Sequence, residues 1–223
     1  MEDIHCWEEK FEVCQYSERL LNLLSQLNSQ LNLPVEILKV KQAIYYARKY
    51  HGSQMRKSGE PYYSHPIEVA YMFAEYVSKK NKEYYATNLV VTEILHDSIE
   101  DTMLTKAMIA EIFGESVASK VEDLTRIKFD KKITAGETLE LLYHQYKIDI
   151  LYIKLFDRLH NIQNLGAMPA EKRQKIAQET IKYFITLGDC LGLGDLMQEL
   201  RNLTYQALSV PPHQVFANSS IFC

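Results

Sequence analysis

Helix breakers are scarce in this chain: 8 glycines and 6 prolines among 223 residues. Strand-like alternation of apolar and polar residues is not convincing anywhere, so a sheet-based fold is not expected. Cys6, Cys14, Cys190 and Cys223 show no CxxC spacing. That leaves out a zinc knuckle and suits reduced, cytosolic thiols better than a disulfide framework. No uninterrupted apolar run approaches ~18–20 residues, so no membrane span is expected. The N-terminal stretch MEDIHCWEEKFE is acidic and lacks a signal-type apolar core. Positive charge is in slight deficit, with 25 Lys and Arg against 29 Asp and Glu and a net charge of −4. General electrostatic adhesion to nucleic acid or membrane is therefore not suggested, and an anionic substrate would need a local basic patch. Internal repeats and low-complexity segments are also lacking.

What is present is helical periodicity almost from end to end, in a chain 47% hydrophobic and 24% charged. The expectation is an all-α protein of roughly nine or ten helices, with one main domain and an appendage. Residues 17–32 put Leu20, Leu24, Leu27 and Leu31 on one face. Two readings stand open for this segment: an amphipathic helix docked on the domain, or a partner-binding helix that forms a homodimer. Leu33-Pro34 breaks the chain, and a helix then runs to about Tyr50. The polar loop HGSQMRKSGEPYYSHP covers 51–66. Ser64-His65-Pro66 reads as a helix start, and the helix turns Val69, Phe73 and Val77 inward. Further helices are expected over about 83–101, 105–113 (with Gly114 as C-terminal cap), 115–126, 136–146, 149–164, 170–190 and 194–208. The stretch 127–135 is expected to be a mobile loop.

The segment LHDSIEDT, Leu95 to Thr102, puts three carboxylates and a histidine into the last turns of an apolar helix. Carboxylates there face the negative end of the helix dipole and repel each other. A metal ion on His96 and Asp97 would offset that. His65, at a helix start, and Asp157, in the otherwise apolar helix IKLFDRLHN, are further ligand candidates. Two nitrogens and two oxygens without sulfur suit Mn²⁺, Fe²⁺ or Zn²⁺ more than Ca²⁺ or Mg²⁺. Only His144 lies between Asp97 and Asp157, which favours one ion over two. A solvated helix end, with Asp101 capping the next helix, remains open on spacing alone.

A second constellation is basic. Arg48, Lys49, Arg56 and Lys57 flank the loop that delivers His65, and Lys154 and Arg158 flank Asp157. Lys154, Asp157 and Asn161 share a helix face. Cations around a carboxylate–metal centre would suit a polyphosphate substrate, while ordinary surface ion pairs are the alternative.

Three blocks, RKSGEPYYSHPIEVA (56–70), LHDSIEDT (95–102) and IKLFDRLHNIQNL (153–165), appear in an order that resembles the hydrolase domain of RelA/SpoT proteins. Weaker similarity at 113–127 and 176–208 extends the resemblance over about residues 38–208. It implies an all-helical HD domain with one Mn²⁺ held by His65, His96, Asp97 and Asp157. It implies that Glu100 and Asp101 handle the attacking water and its proton. Arg56 and Lys57 would contact guanine and phosphate, Asn161 the ribose region, and Lys154 is a further candidate for the charged phosphates. The implied activity is cytoplasmic 3′-pyrophosphohydrolysis of the alarmones (p)ppGpp to GDP or GTP. The expected division is an N-terminal helical extension (1–34), a hydrolase domain (35–208) and an irregular tail (209–223), as in small hydrolase-only members or a hydrolase half. The sequence departs from the family pattern at Phe156, at Asp123-Leu124-Thr125-Arg126-Ile127 and at Ile162-Gln163-Asn164. Those departures leave two other expectations in view: an HD phosphohydrolase for another nucleotide such as NADPH or a deoxynucleotide, and a non-catalytic alarmone-binding module.

Overall fold

A computed structural model describes residues 6–125, 127–128, 131–208 and 222. The expected tail, 209–223, lies outside the described residues apart from Phe222. The all-α expectation holds. Among the described residues the one sheet is a pair of two-residue strands, β1 (Ile127–Lys128) and β2 (Lys131–Lys132), within the stretch expected as loop. No helix is long and apolar enough to cross a membrane among the described residues. Contacts divide the chain into two compact units, Met1–Ile127 and Lys128–Cys223.

The first unit contains α1 (Trp7–Lys10), α2 (Gln15–Asn28), α3 (Ile37–His51), α4 (Ser64–Lys80), α5 (Thr87–Leu95), α6 (Ser98–Asp101), α7 (Lys106–Phe113) and α8 (Glu115–Leu124). Its hub is α5, which packs against α3, α4 and α8. Every residue from Leu89 to Leu95 is buried, as a helix covered on all sides requires. From α4, Val69, Phe73 and Val77 are fully buried. Burying a side chain the size of Phe73 contributes about 1.5–3 kcal/mol. Gly114, at φ 90°, both ends α7 and begins α8, a conformation that favours glycine. Thr105, rather than Asp101, caps α7 by accepting the Met108 N–H at 3.3 Å.

The N-terminal helix α2 lies on α3 and α4. Leu20, Leu24 and Leu27 are buried within this unit and Leu31 is half-buried. The apolar stripe is thus covered by the chain's own helices, and a homodimer through that face is not supported. Asn28 fixes the reversal after α2: its Nδ2 donates to the Val35 carbonyl and its Oδ1 accepts the Val35 N–H, both at 2.8 Å.

The second unit contains α9 (Ala135–His144), α10 (Ile148–Gln163), α11 (Ala170–Glu179), α12 (Thr186–Cys190) and α13 (Gly194–Leu208). A reciprocal cap starts α9. The Thr134 hydroxyl accepts the Glu137 N–H, and the Glu137 carboxylate accepts the Thr134 N–H at 2.7 Å, which lowers the Glu137 pKa. The expected helix 170–190 is interrupted by a π segment, Thr180–Ile185. Such a segment holds an extra residue in its turn and rotates the helix beyond it. Close approaches are built with glycine: a Cβ on Gly136 would meet the Tyr183 ring, and one on Gly188 would meet the Met197 side chain.

Candidate metal centre

The first candidate ligand is delivered by the loop after α3. Arg56 donates its N–H to the Glu60 carbonyl at 2.8 Å, and Gly59, at φ 90°, donates to the Arg56 carbonyl at 3.0 Å. Tyr62 N–H reaches back to the Gln54 carbonyl at 2.9 Å. RKSGEP therefore folds into a tight turn with Arg56 half-buried and Lys57 exposed. The chain then enters α4 at Ser64, whose hydroxyl donates to the Pro61 carbonyl at 2.8 Å. His65 comes next, in the first turn, 2% exposed.

The second and third candidate ligands come from a break in the expected helix 83–101. α5 stops at Leu95, and the His96 N–H bonds to the Glu93 carbonyl, three residues back, at 3.4 Å. Asp97, at φ −95° and ψ −6°, leads into α6. The break changes the electrostatics of LHDSIEDT. Glu100 and Asp101 lie in the first turn of a new, short helix, not at the negative end of a long one.

His96 is also oriented by Glu93. Its Nδ1 lies 2.7 Å from the Glu93 carbonyl oxygen, so Nδ1 carries the proton and donates, and Nε2 is left with a lone pair. That Nε2 lies 3.2 Å from Asp97 Oδ2, and His65 Nε2 lies 3.7 Å from the same oxygen. The two rings are 5.2 Å apart at 73°, with ligand atoms within 4.8 Å of each other. A lone pair facing a carboxylate oxygen at this range is repulsive unless a cation or proton stands between them. Two imidazole nitrogens and a carboxylate converging on one point fit a divalent metal.

Tyr62 holds the carboxylates. Its hydroxyl lies 2.8 Å from Asp97 Oδ2 and 3.1 Å from Asp101 Oδ2. Its one proton is donated to one of them at a time. The Asp101 residue is exposed, but its carboxyl is partly withdrawn from water. Desolvation, and then the Asp97 charge, push its pKa up, against the Tyr62 hydrogen bond. Behind Tyr62, the buried His51 ring stacks on it at 4.6 Å and 26°. His51 Nδ1 pairs with Gln54 Oε1 at 2.9 Å, and Gln54 Nε2 donates to the Asp101 carbonyl at 3.0 Å. Burial lowers the His51 pKa and favours its neutral form. Residue spacing alone singled out none of Tyr62, His51 and Gln54. A usable signal was present: Tyr62 stands three residues before His65, at a helix start, where one turn brings the two together.

The remaining candidates lie in the second unit, on α10. Most of this helix is buried, but Lys154, Asp157, Arg158 and Asn161 are half-buried and form one polar stripe. Asn161 Nδ2 donates to Asp157 Oδ1 at 2.6 Å, which orients the carboxylate. Arg158 leaves the basic patch the sequence suggested: it lies over the Phe184 ring at 4.0 Å and 3.8 Å from Glu179. The departing segment Ile162-Gln163-Asn164 closes α10, with Ile162 buried, Gln163 exposed and Asn164 half-buried. Gln163 Nε2 lies 3.5 Å from Glu199, and Asn164 Nδ2 donates to the His160 carbonyl at 2.9 Å.

Compared with known families, residues 43–194, more than half of the chain, match the model described as HD domain. The chain belongs to the HD-domain family. An HD domain implies a divalent metal, and His65, His96 and Asp97 form a possible His/Asp metal site in the first unit. Among curated relatives, it is similar to the GTP pyrophosphokinase rsh of Brucella ovis, 36% identical over 176 residues, or 76% of this chain and 22% of that protein. It is also similar to the bifunctional (p)ppGpp synthase/hydrolase SpoT of Escherichia coli K12, 38% identical over 196 residues, or 85% of this chain and 27% of SpoT. The chain thus spans about a quarter of the length of the curated relatives it matches. A solved structure of a metazoan ortholog of SpoT that hydrolyzes ppGpp superposes with a TM-score of 0.50 at 20% identity, covering 74% of this chain and 85% of the other. At that identity the likeness bears on the fold.

Proposed function

We propose that this HD domain, over residues 35–208, is a Mn²⁺-dependent 3′-pyrophosphohydrolase of (p)ppGpp. The reading carries with it a cytoplasmic location. The observation behind it is the convergence of His65, His96 and Asp97, with Tyr62 joining Asp97 to Asp101. The similarity to SpoT supplies the substrate class. His65, His96 and Asp97, with Asp157 as the fourth ligand from α10, would hold one ion, which when bound supplies a Lewis acid and a water of lowered pKa. Glu100 orients the attacking water and takes its proton, aided by Asp101. Arg56, Lys57 and Lys154 neutralise the substrate's 3′ and 5′ phosphates, with the planar Arg56 guanidinium suited to stacking on the base. Asn161 contacts the ribose region and keeps Asp157 in its rotamer.

The test is chromatography of the products after incubation of the protein with ppGpp and Mn²⁺. GDP and pyrophosphate are the expected pair. Orthophosphate in place of pyrophosphate excludes the reading. The side chains of Ile162-Gln163-Asn164 favour a second reading, an HD phosphohydrolase for another nucleotide, since that segment offers neither the basic nor the hydroxyl contact of the family pattern. Turnover of NADPH or a deoxynucleotide with ppGpp left intact selects it. A protein that binds ppGpp, holds no metal and turns over none of these nucleotides is a non-catalytic module.

A further inference from the structure

The first unit holds a cavity of about 450 Å³ whose lining includes none of the residues assigned to the reaction. The volume falls in the range of small-molecule sites, roughly 300–1,000 Å³. One wall is the N-terminal strap, where α1 gives way to extended chain at Phe11. The C-terminal half of α3 contributes Tyr45, Arg48 and Lys49 to the lining, and Tyr63 adds a further ring. Lys10, on the strap, adds a third cation, and Glu12 is the one carboxylate in the lining. In a chain of net charge −4, this excess of cations is local and creates a field that collects anions.

The ring and cation geometry is specific. The Arg48 guanidinium lies over the Tyr63 ring, 5.1 Å from its centre. A guanidinium held over a ring still carries a fork of N–H donors that can grip a phosphate with paired bonds. Arg48 also ties the strap down. It donates to the Glu12 carbonyl, and its Nη2 lies 3.5 Å from the Glu12 carboxylate. The guanidinium carries more N–H donors than Glu12 occupies. Phe11 and Tyr45 supply flat apolar surface for a base.

We propose that this cavity binds a nucleoside phosphate at a second site, separate from the His/Asp cluster. The base stacks among the rings, and the phosphate takes Arg48 with Lys10 and Lys49. A bound phosphate competes with the Glu12 carboxylate for Arg48, so occupancy shifts the strap. Trp7, the single tryptophan, reports that shift. It is buried in α1 with its ring 6.4 Å from Tyr45.

The experiment is a titration of the full chain with GDP in EDTA, monitored by Trp7 fluorescence, with equilibrium dialysis of labelled GDP alongside. A saturable change is expected. The double variant Lys10→Ala/Lys49→Ala should weaken it about tenfold or more, since charge-assisted bonds to phosphate are lost. Arg56→Ala/Lys57→Ala should leave it within about twofold. Inorganic pyrophosphate should bind at least about tenfold more weakly than GDP, because it has nothing to stack. Both lysines are exposed, and an unchanged circular dichroism melt confirms that the double variant folds. Three results overturn the proposal. One is no GDP bound by dialysis at millimolar concentration. Another is a response that tracks Arg56 and Lys57 rather than Lys10 and Lys49. The third is pyrophosphate binding as tightly as GDP.

Discussion

The two units present carboxylates in opposite ways. In the first, α5 is buried all round and stops at Leu95, and Asp97 projects from the break before α6. In the second, α10 runs unbroken from Ile148 to Gln163, and Asp157 projects from a half-buried stripe along it. A group at a break has little backbone to fix it, so its direction depends on side-chain hydrogen bonds. Tyr62, His51 and Gln54 supply those at α5–α6. A group inside a continuous helix is aimed largely by the helix itself, and Asn161 then selects the rotamer. The contrast teaches that one lost hydrogen bond should cost more at the break than on the helix.

The largest effect tests the division of labour within the break. Glu100→Gln keeps the size and shape of the side chain and removes the proton acceptor. It should lower kcat by about 10²–10⁴-fold and leave the metal content unchanged in elemental analysis. Full turnover would remove Glu100 from its role. Next comes Tyr62→Phe, which deletes the hydroxyl shared by Asp97 and Asp101. Groups that orient metal ligands are typically worth about 10–100-fold in affinity or activity, and the upper part of that range is expected here. Calorimetric titration with Mn²⁺ reads it directly, and a loss of stability alone would leave the Mn²⁺ affinity in place. Asn161→Ala is the matching change on α10. It should weaken Mn²⁺ binding by about tenfold, at the lower end of the same range, because the helix still aims Asp157. If Asn161→Ala costs as much as Tyr62→Phe, the comparison between break and helix fails.

The same contrast explains what was legible in the sequence. The apolar spacing of Leu20, Leu24 and Leu27 located α2, Gly114 marked the α7–α8 junction, and His65-Pro66 marked the start of α4, because each is a local signal that the surroundings reinforce. The break at His96-Asp97 was not legible. Glu100 and Asp101 continue the helical spacing, and the tighter bond from His96 to Glu93 is a choice that burial of α5 settles. The π segment Thr180–Ile185 escaped for a similar reason: one extra residue in a turn barely disturbs a 3.6-residue pattern. At the site, residue type was enough to nominate His65, His96, Asp97 and Asp157. It could not nominate Tyr62, His51 and Gln54. In a polar loop a tyrosine, a histidine and a glutamine look like surface, and only the fold stacks them behind the carboxylates.

The smallest effect probes the support beneath the break rather than the break itself. Tyr85 lies just before α5, buried, and its hydroxyl donates to Asn28 Oδ1 at 3.0 Å, joining the end of α2 to the start of α5. Burial pushes its pKa from the ordinary 10 up to about 12. The fold therefore prefers the neutral phenol. Its contribution is present in full below about pH 10 and is lost as pH rises from about 10 to 12, because over that window the unfolded chain releases the proton first. Two pKa units correspond to roughly 2–3 kcal/mol at the upper limit. Tyr85→Phe should cost about 1 kcal/mol at neutral pH, for the lost hydrogen bond, and should flatten the alkaline fall in stability. Urea unfolding at neutral pH and near pH 12 measures both. If Mn²⁺ affinity at neutral pH stays the same in this variant while stability falls, the ligand geometry at His96 and Asp97 is set locally by Tyr62 and Glu93. If affinity falls with stability, the break depends on how α5 is anchored, and the contrast with α10 becomes one of scaffolds rather than of side chains.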